Sequence, residues 1–288
     1  MRGATPAVSL SGTARDDRVL AATRALSLFI APFLVLGFGI LYLFPDHTRE
    51  LFAWTIKPRL TAMMLGAAYL GGTYFFLRAA RASAWHRVHA GFPPIAVFAS
   101  LLGVTTILHW GRFNHGHPAF VTWAALYFTT PFLVIAAWVR NRTRDPRAPD
   151  ADDRALPAPV RLALGGVGAV LLAVAALLFL RPDVAIQLWP WTLTPLTARV
   201  VASLFALAGA AEISVASDWR WSAARVTLQS QLIALLGIEL AAVLAWGDLR
   251  PANPLRWLFA GGLLLLLTGL LLLWGLMDWP RRLPAPES

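Results

Sequence analysis

Long apolar stretches recur along this chain and constrain its fold more than any other feature of the sequence. A helix needs about 20 mostly apolar residues to cross the hydrocarbon core of a bilayer. Because backbone polar groups in lipid must be satisfied within the segment, each such stretch is predicted to be a helix. The sequence therefore predicts an all-α, polytopic integral membrane bundle of about eight helices. The stretches cover residues 24–44, 59–79, 93–110, 118–139, 160–180, 196–216, 224–246 and 256–277.

The composition agrees with a surface that faces a lipid bilayer. Of the 288 residues, 58% are hydrophobic and 14% are charged, whereas soluble domains carry about 25% charged residues. A net charge of +10 would favour nucleic acid in a soluble protein. Here the arginines cluster between the apolar stretches, so we expect lipid as the partner and no nucleic acid. The absence of cysteine excludes disulfides, Fe–S clusters and thiol nucleophiles.

The arginines also predict the orientation of the chain. With eight crossings, every arginine-rich segment falls on one side of the membrane, which is the cytoplasmic side by the positive-inside rule. Both termini are then cytoplasmic. Lys57 is the single lysine among 25 basic residues, a bias typical of GC-rich bacterial genes, so we expect a bacterial inner membrane. The arginine-rich segments are residues 2–18, 78–87, 140–154, 220–225 and 281–282.

The two halves of the chain resemble each other. Asp46 and Asp183, each after a proline, are separated by 137 residues, and Trp85 and Trp221 by 136. Self-similarity at a fixed offset marks repeated structural units. Each unit holds four spans, an even number, so the sequence predicts two parallel four-helix repeats. The predicted organisation is a mobile cytoplasmic tail (1–20), a first repeat (21–139), a solvated cytoplasmic linker (140–159), a second repeat (160–279) and a cytoplasmic tail (280–288).

A short motif occurs in the first outer loop of each half. Pro-Asp is followed by Leu-x-x-Trp-Thr and a further proline, which predicts a short interfacial helix leading into the next span. Tryptophan favours the headgroup level and proline favours the first helical turn. Anchoring at the interface is the preferred interpretation, with substrate binding as the alternative. The residues are Asp46, Trp54, Pro58, Asp183, Trp191 and Pro195.

Histidines concentrate in the second predicted outer loop. His109, His115 and His117 lie within nine residues of one another, and His47 in the first outer loop is a possible fourth ligand. Neutral imidazole binds zinc, copper, nickel and iron. The corresponding part of the second half lacks histidine, however, so polarity of a loop at the membrane surface is the preferred interpretation. We predict no cofactor, and a bound metal ion is the alternative.

Five ionisable or amide side chains inside predicted spans are candidates for a functional role. Such groups are costly in a bilayer and need partners or a cavity. Arg199 and Glu239 are both missing from the matching positions of the first half, which predicts that they pair. Glu212, Gln229 and Gln231 form a second predicted cluster near the inner face. Interhelical contacts and a permeation, proton or ligand site are both open interpretations.

Three functions fit these observations. The preferred one is a permease-like or channel-like bundle for a small molecule, ion or lipid. The alternatives are a metal-binding, redox or assembly factor that uses the outer histidines, and a non-catalytic membrane subunit or scaffold. The sequence lacks a P-loop, GxSxG, HExxH and GxGxxG, so an enzyme is the less favoured class. A homo-oligomer or a larger membrane complex fits any of the three.

Overall fold

The computed structural model describes residues 16–278, and within that range it is helical and contains no β-strand. Eight helices are long and apolar enough to cross a membrane, which confirms the predicted number and positions. Residues 1–15, which are most of the first predicted tail, and residues 279–288, which include the whole of the second, lie outside the described residues. The helices are α1 (Ala21–Phe38, continued by a π-helical turn at Gly39–Leu43), α2 (Thr48–Leu51), α3 (Arg59–Arg81), α4 (Phe92–Leu108), α5 (Pro118–Arg142), α6 (Ala158–Leu180), α7 (Pro182–Leu188), α8 (Pro195–Ala216), α9 (Trp221–Leu244) and α10 (Leu255–Asp278).

Proline and threonine define where several helices begin. Pro118, Pro182 and Pro195 each lie in the first turn of a helix, where the missing N–H has no intrahelical partner to lose. The same reason explains the start of α4, where Pro93 and Pro94 lie in the first turn. At α8, the Thr194 side chain accepts from the Thr197 backbone N–H at 3.2 Å, and the Thr197 hydroxyl accepts from the Thr194 N–H at 2.7 Å.

Four helices form the inside of the bundle and four surround it. The inner helices are α3, α4, α8 and α9: α3 packs on α9, and α8 packs on α4. The outer helices α1, α5, α6 and α10 pack on α3, α4, α8 and α9, respectively. Burial agrees for α3, α8 and α4, since 78%, 61% and 56% of their apolar windows are buried inside the protein, against 6% for α10. At 33%, α9 is buried no more than the outer helix α5. The two main inner contacts, of α3 with α9 and of α4 with α8, each join one half of the chain to the other.

The loops gather at two ends of the bundle. We call one the linker end, formed by residues 16–20, 82–91, 143–157 and 217–220, and the other the histidine end, formed by residues 44–58, 109–117, 181–194 and 245–254. The linker end is more ordered than the sequence predicted. Leu156 and Asp145 are buried in the segment that was predicted to be solvated. The backbone N–H of Trp85 donates to the carbonyl of Asp17 at 2.6 Å, so residues 16–20 belong to the folded protein.

Close backbone approach between helices depends on a few glycines. A Cβ at Gly209 in α8 would lie 2.8 Å from the carbonyl oxygen of Gly168 in α6. A Cβ at Gly71 in α3 would lie 2.6 Å from the carbonyl oxygen of Ser230 in α9. Without a hydrophobic driving force between helices in lipid, this van der Waals contact is a main source of their association.

The glycine contact between α6 and α8 predicts a measurable effect on stability. Gly209→Ala should lower the thermal unfolding midpoint of the purified protein in detergent, because overpacking costs about 1–3 kcal/mol. The matched control is Gly269→Ala in α10, where an added Cβ meets no atom within 4 Å. Tryptophan fluorescence during heating measures both variants. Equal midpoints for the two variants would contradict the packing described above.

Candidate functional sites at the two ends of the bundle

The two tryptophans of the repeated motif are buried inside the protein. Trp54 is 3% exposed and Trp191 is fully buried. Trp54 packs against Trp123 with ring centroids 4.7 Å apart, and the indole N–H of Trp191 donates to the Thr61 hydroxyl at 3.0 Å. This corrects the prediction that both rings anchor the protein at headgroup depth, since rings enclosed by protein do not meet lipid.

The rest of the motif has the predicted local structure. In the first half, Pro-Asp lies in a 3-10 turn that α2 follows, and in the second half Pro-Asp forms the start of α7. Asp46 and Asp183 are exposed, and Asp183 pairs with Arg181 at 3.1 Å. Pro58 immediately precedes α3, and Pro195 is the first residue of α8.

The four histidines of the predicted metal site have separate roles. His109 lies at the end of α4 and bonds to Arg199. His117 caps α5, where its Nδ1 accepts from the Ala119 N–H at 3.1 Å. His115 lies against Phe120, with ring centroids 4.7 Å apart, and His47 lies near the ring of Phe44. Among residues 16–278, the one group of three side chains close enough to share a metal ion lies elsewhere, at the linker end.

Arg199 connects three helices at the histidine end. Its Nη1 donates to Nε2 of His109 at 2.8 Å, and its Nε donates to the carbonyl of Phe179 at 3.1 Å. The predicted partner, Glu239, has a buried Oε1 without a hydrogen bond. The Arg199–Glu239 pair predicted from the sequence is therefore absent from the described part of the chain. The cation instead holds the start of α8 to the ends of α4 and α6.

The remaining intramembrane residues split into two contacts. Gln229 in α9 accepts a hydrogen bond from the Tyr74 hydroxyl of α3 at 2.5 Å. Gln231, two residues further on, donates from Nε2 to the Glu212 carboxylate of α8 at 3.3 Å. Gln229 thus connects α9 to α3, whereas Gln231 and Glu212 connect α9 to α8. The three residues do not share one contact.

A buried arginine organises the linker end. The guanidinium of Arg220 is 3% exposed and binds both oxygens of Asp145, at 2.9 and 2.7 Å, and both oxygens of Asp218, at 3.0 and 2.7 Å. Despite partial burial, these bonds and the positive charge of Arg220 hold the pKa of both carboxyls below their usual range. His89, with Nε2 3.5 Å from Asp218, completes the group of possible metal ligands. Because Arg220 already supplies the positive charge there, we assign the group to structure.

Further ion pairs fix the neighbouring segments. His86 contacts Asp17 through Nδ1 and lies 3.3 Å from Asp150 through Nε2. Arg87 also binds Asp150, at 2.9 Å. From the sequence, the arginines of the linker end predicted only the orientation of the chain. The Asp-x-Arg spacing of Asp218 and Arg220, just before a helix, was the available signal for a more specific role.

A cavity of about 740 Å³ opens beside this network at the linker end. Its walls come from the end of α3, the linker, the start of α9 and the end of α10. Two of its arginines bind carboxylates: Arg87 binds Asp150, and Arg225 binds Asp278 at 2.7 Å. The five arginines that line it are Arg78, Arg81, Arg87, Arg154 and Arg225, and the four acidic residues are Asp150, Asp152, Asp153 and Asp278.

A second cavity, of about 390 Å³, lies between α4 and α5 and is almost entirely apolar. Phe92, Val97, Ile135 and Trp138 are among the residues that line it. Neither cavity touches Arg199, Glu212 or Glu239.

Comparison with known proteins does not place the chain in a family, because no family model, no curated protein and no solved structure matches it. The fold and its sites define the class alone: a multi-pass membrane protein with a helical bundle.

A double-mutant cycle tests which partner Arg199 has. Arg199→Met and His109→Phe should be coupled by about 1 kcal/mol, since each removes the same charge-assisted hydrogen bond. Arg199→Met and Glu239→Gln should be additive within about 0.5 kcal/mol. Unfolding free energies of purified protein give both values. Coupling in the second pair and additivity in the first would restore the pairing predicted from the sequence.

The same contact predicts how stability depends on pH. Burial, and then the charges of Arg199 and Arg112, lower the pKa of His109 below its ordinary value of 6.5. An unfolded chain takes up the proton first, so this contribution to stability is complete above about pH 6.5 and is lost as the pH falls toward the folded pKa. Thermal midpoints of His109→Gln should therefore fall less steeply on acidification than those of the wild type. The control His115→Gln, at an exposed ring, should match the wild type.

Proposed function

We propose that the protein binds a phosphate-bearing anion in the cavity at the linker end. The observation that carries this proposal is the position of Arg78 and Arg81. They lie one turn apart on α3, line the cavity and, among residues 16–278, have no carboxylate within 4 Å. Arg78 donates only to the neutral hydroxyl of Tyr74, at 2.9 Å. Guanidinium groups favour phosphate because they donate bidentate, charge-assisted hydrogen bonds.

The level of the cavity along the bundle supports this ligand class. Its walls include the last turns of α3 and α10 and the first turn of α9, which is where helices leave the hydrocarbon core. Basic pockets between helices on the cytoplasmic side are typical binding sites for anionic headgroups. A phospholipid headgroup and a soluble phosphate compound share the required chemistry.

The proposal differs from the permease-like or channel-like function that the sequence favoured, because it requires binding of an anion and not its passage through the bundle. Inside the bundle, the polar side chains of α3, α8 and α9 bond to one another, as Tyr74 does to Gln229 and Gln231 does to Glu212. The two cavities described lie away from Arg199, Glu212 and Glu239. Binding at the cytoplasmic end is therefore better supported than passage between the halves.

The location of the protein completes the proposal. We place it in a bacterial inner membrane with both termini cytoplasmic, so that the arginine-rich linker end faces the cytoplasm.

We further infer an internal duplication. Asp17 accepts from the backbone N–H of His86 at 3.2 Å and contacts its ring, and Asp153 accepts from the N–H and the hydroxyl of Ser222 at 2.9 and 2.5 Å. Asp17 and Asp153 are 136 residues apart, and so are His86 and Ser222, so the two contacts match at one offset.

A non-catalytic membrane subunit is the second candidate. It is favoured by α10, which packs chiefly on α9 and has only 6% of its apolar window buried inside the protein. A helix with so much free apolar surface suits a partner helix, including one from a second copy of the chain.

Binding at the cavity is tested by thermal unfolding of the purified protein with added ligands. Anionic phosphatidylglycerol or inorganic phosphate should raise the midpoint, whereas zwitterionic phosphatidylcholine should not. The double variant Arg78→Gln/Arg81→Gln should bind at least about tenfold more weakly, because each charge-assisted hydrogen bond contributes about 1.5–3 kcal/mol. Comparing the lipid with inorganic phosphate identifies the source of the anion.

The matched control is Arg140→Gln/Arg142→Gln at the end of α5, since both arginines are exposed and lie outside the cavity. This variant removes the same charge at the same end of the bundle and should retain binding. Equal losses in the two double variants would mean that general surface charge, and not the cavity, attracts the anion.

A further inference from the structure

Three buried oxygen atoms on α8 and α9 have no hydrogen-bond partner within residues 16–278. They are Oε2 of Glu212, Oε1 of Gln231 and Oγ1 of Thr227. Glu212 is 4% exposed and Thr227 is 3% exposed, and Gln231 is half-buried with its Oε1 atom enclosed. An unsatisfied polar atom in a protein interior costs about 1–3 kcal/mol, so three in one place require an explanation.

Helix geometry brings these atoms to one site. Thr227 and Gln231 are four residues apart on α9, so their side chains share a face of that helix. Gln231 reaches across to α8, where its Nε2 lies 3.3 Å from Oε1 of Glu212 and 3.5 Å from the carbonyl oxygen of Ala208. The third wall is the backbone of α6, where a Cβ at Gly168 would lie 3.1 Å from Cβ of Glu212. The three side chains therefore lie along the contact between α8 and α9, with the backbone of α6 against Glu212.

The surroundings of Glu212 contain no compensating charge. Within residues 16–278, no arginine, lysine or histidine nitrogen lies within 4 Å of its carboxylate. The nearest basic group on α6 is Arg161, whose Nε donates to the carbonyl of Ala216 at 2.8 Å, one turn further along α8. On α3, Arg78 is directed to Tyr74, and on α10, Asp278 is paired with Arg225.

We propose that Glu212, Gln231 and Thr227 form a binding site for one sodium ion within the bundle. Carboxylate, amide and hydroxyl oxygens are the ligands that small, hard cations prefer. One sodium ion and one carboxylate together are neutral, which suits a site of low dielectric constant. A divalent ion would leave a net positive charge beside a single carboxylate, and magnesium also retains several waters.

This site is separate from the arginine-lined cavity, and its existence does not depend on the anion proposed there. None of its three residues lines that cavity. An ion held by Glu212 of α8 and by Gln231 and Thr227 of α9 would join these two helices through one centre, and occupancy would stabilise their contact. Cation concentration would then act on the packing of the second half of the bundle.

The test is the thermal unfolding midpoint of the full-length protein in detergent at pH 8, with sodium replacing choline at constant ionic strength. The midpoint of the wild type should rise with sodium and then saturate. Glu212→Gln, which keeps the shape and removes the charge, should abolish the rise. Thr227→Val removes one neutral ligand and should raise the half-saturating sodium concentration by up to about tenfold.

The matched control is Glu239→Gln, which removes the carboxylate of α9 and should leave the sodium response unchanged. Equal midpoints in sodium and choline for the wild type would overturn the proposal, as would a sodium response that persists in Glu212→Gln. A midpoint that follows pH but not sodium would also overturn it, because the carboxyl would then hold only a proton. If Glu212→Gln does not fold, the wild-type titration and Thr227→Val decide the question.

Discussion

Close contact between the two halves of the chain is the constraint on which the rest of the structure depends. The inner helices of one half pack on those of the other, α3 on α9 and α8 on α4. In lipid this contact requires the backbones to approach closely, as Gly71 does to Ser230. Polar bonds then form across the contact. Tyr74 meets Gln229, and Arg199 meets His109, because the packing has already brought their helices together.

The two ends of the molecule, on either side of this contact, are held together by different kinds of side chain. At the histidine end, buried aromatic rings such as Trp54 and Trp123 fill the space between loops. At the linker end, charged groups hold the loops, and Arg220 is the centre of that network. Between the ends, the described polar side chains largely satisfy one another, and the oxygens around Glu212 are the clearest exception. The arginine-lined cavity and that exception are therefore the places where a ligand would change the energy of the molecule most.

Much of the fold could be predicted from the sequence, and little of the detail of its sites. Hydropathy and first-turn prolines locate the helices, because both act within one segment. Which helix faces which is a property of the assembled bundle, and apolar faces in lipid look alike in composition. For that reason the sequence paired Arg199 with Glu239, although packing directs Arg199 to His109. It also placed Trp191 at the membrane interface, where amphipathic rings are common, although the structure buries the ring inside the protein.

The ion pairs of the linker end have a consequence for any molecule that enters the cavity. Asp150 of the linker is tied to Arg87 and His86 of one loop, and Asp278 of α10 is tied to Arg225 of α9. These ion pairs cross-link the walls of the cavity before a ligand arrives, so less conformational entropy is lost when it binds. Discrimination between anions would then follow from the fit of size and charge to the cross-linked walls.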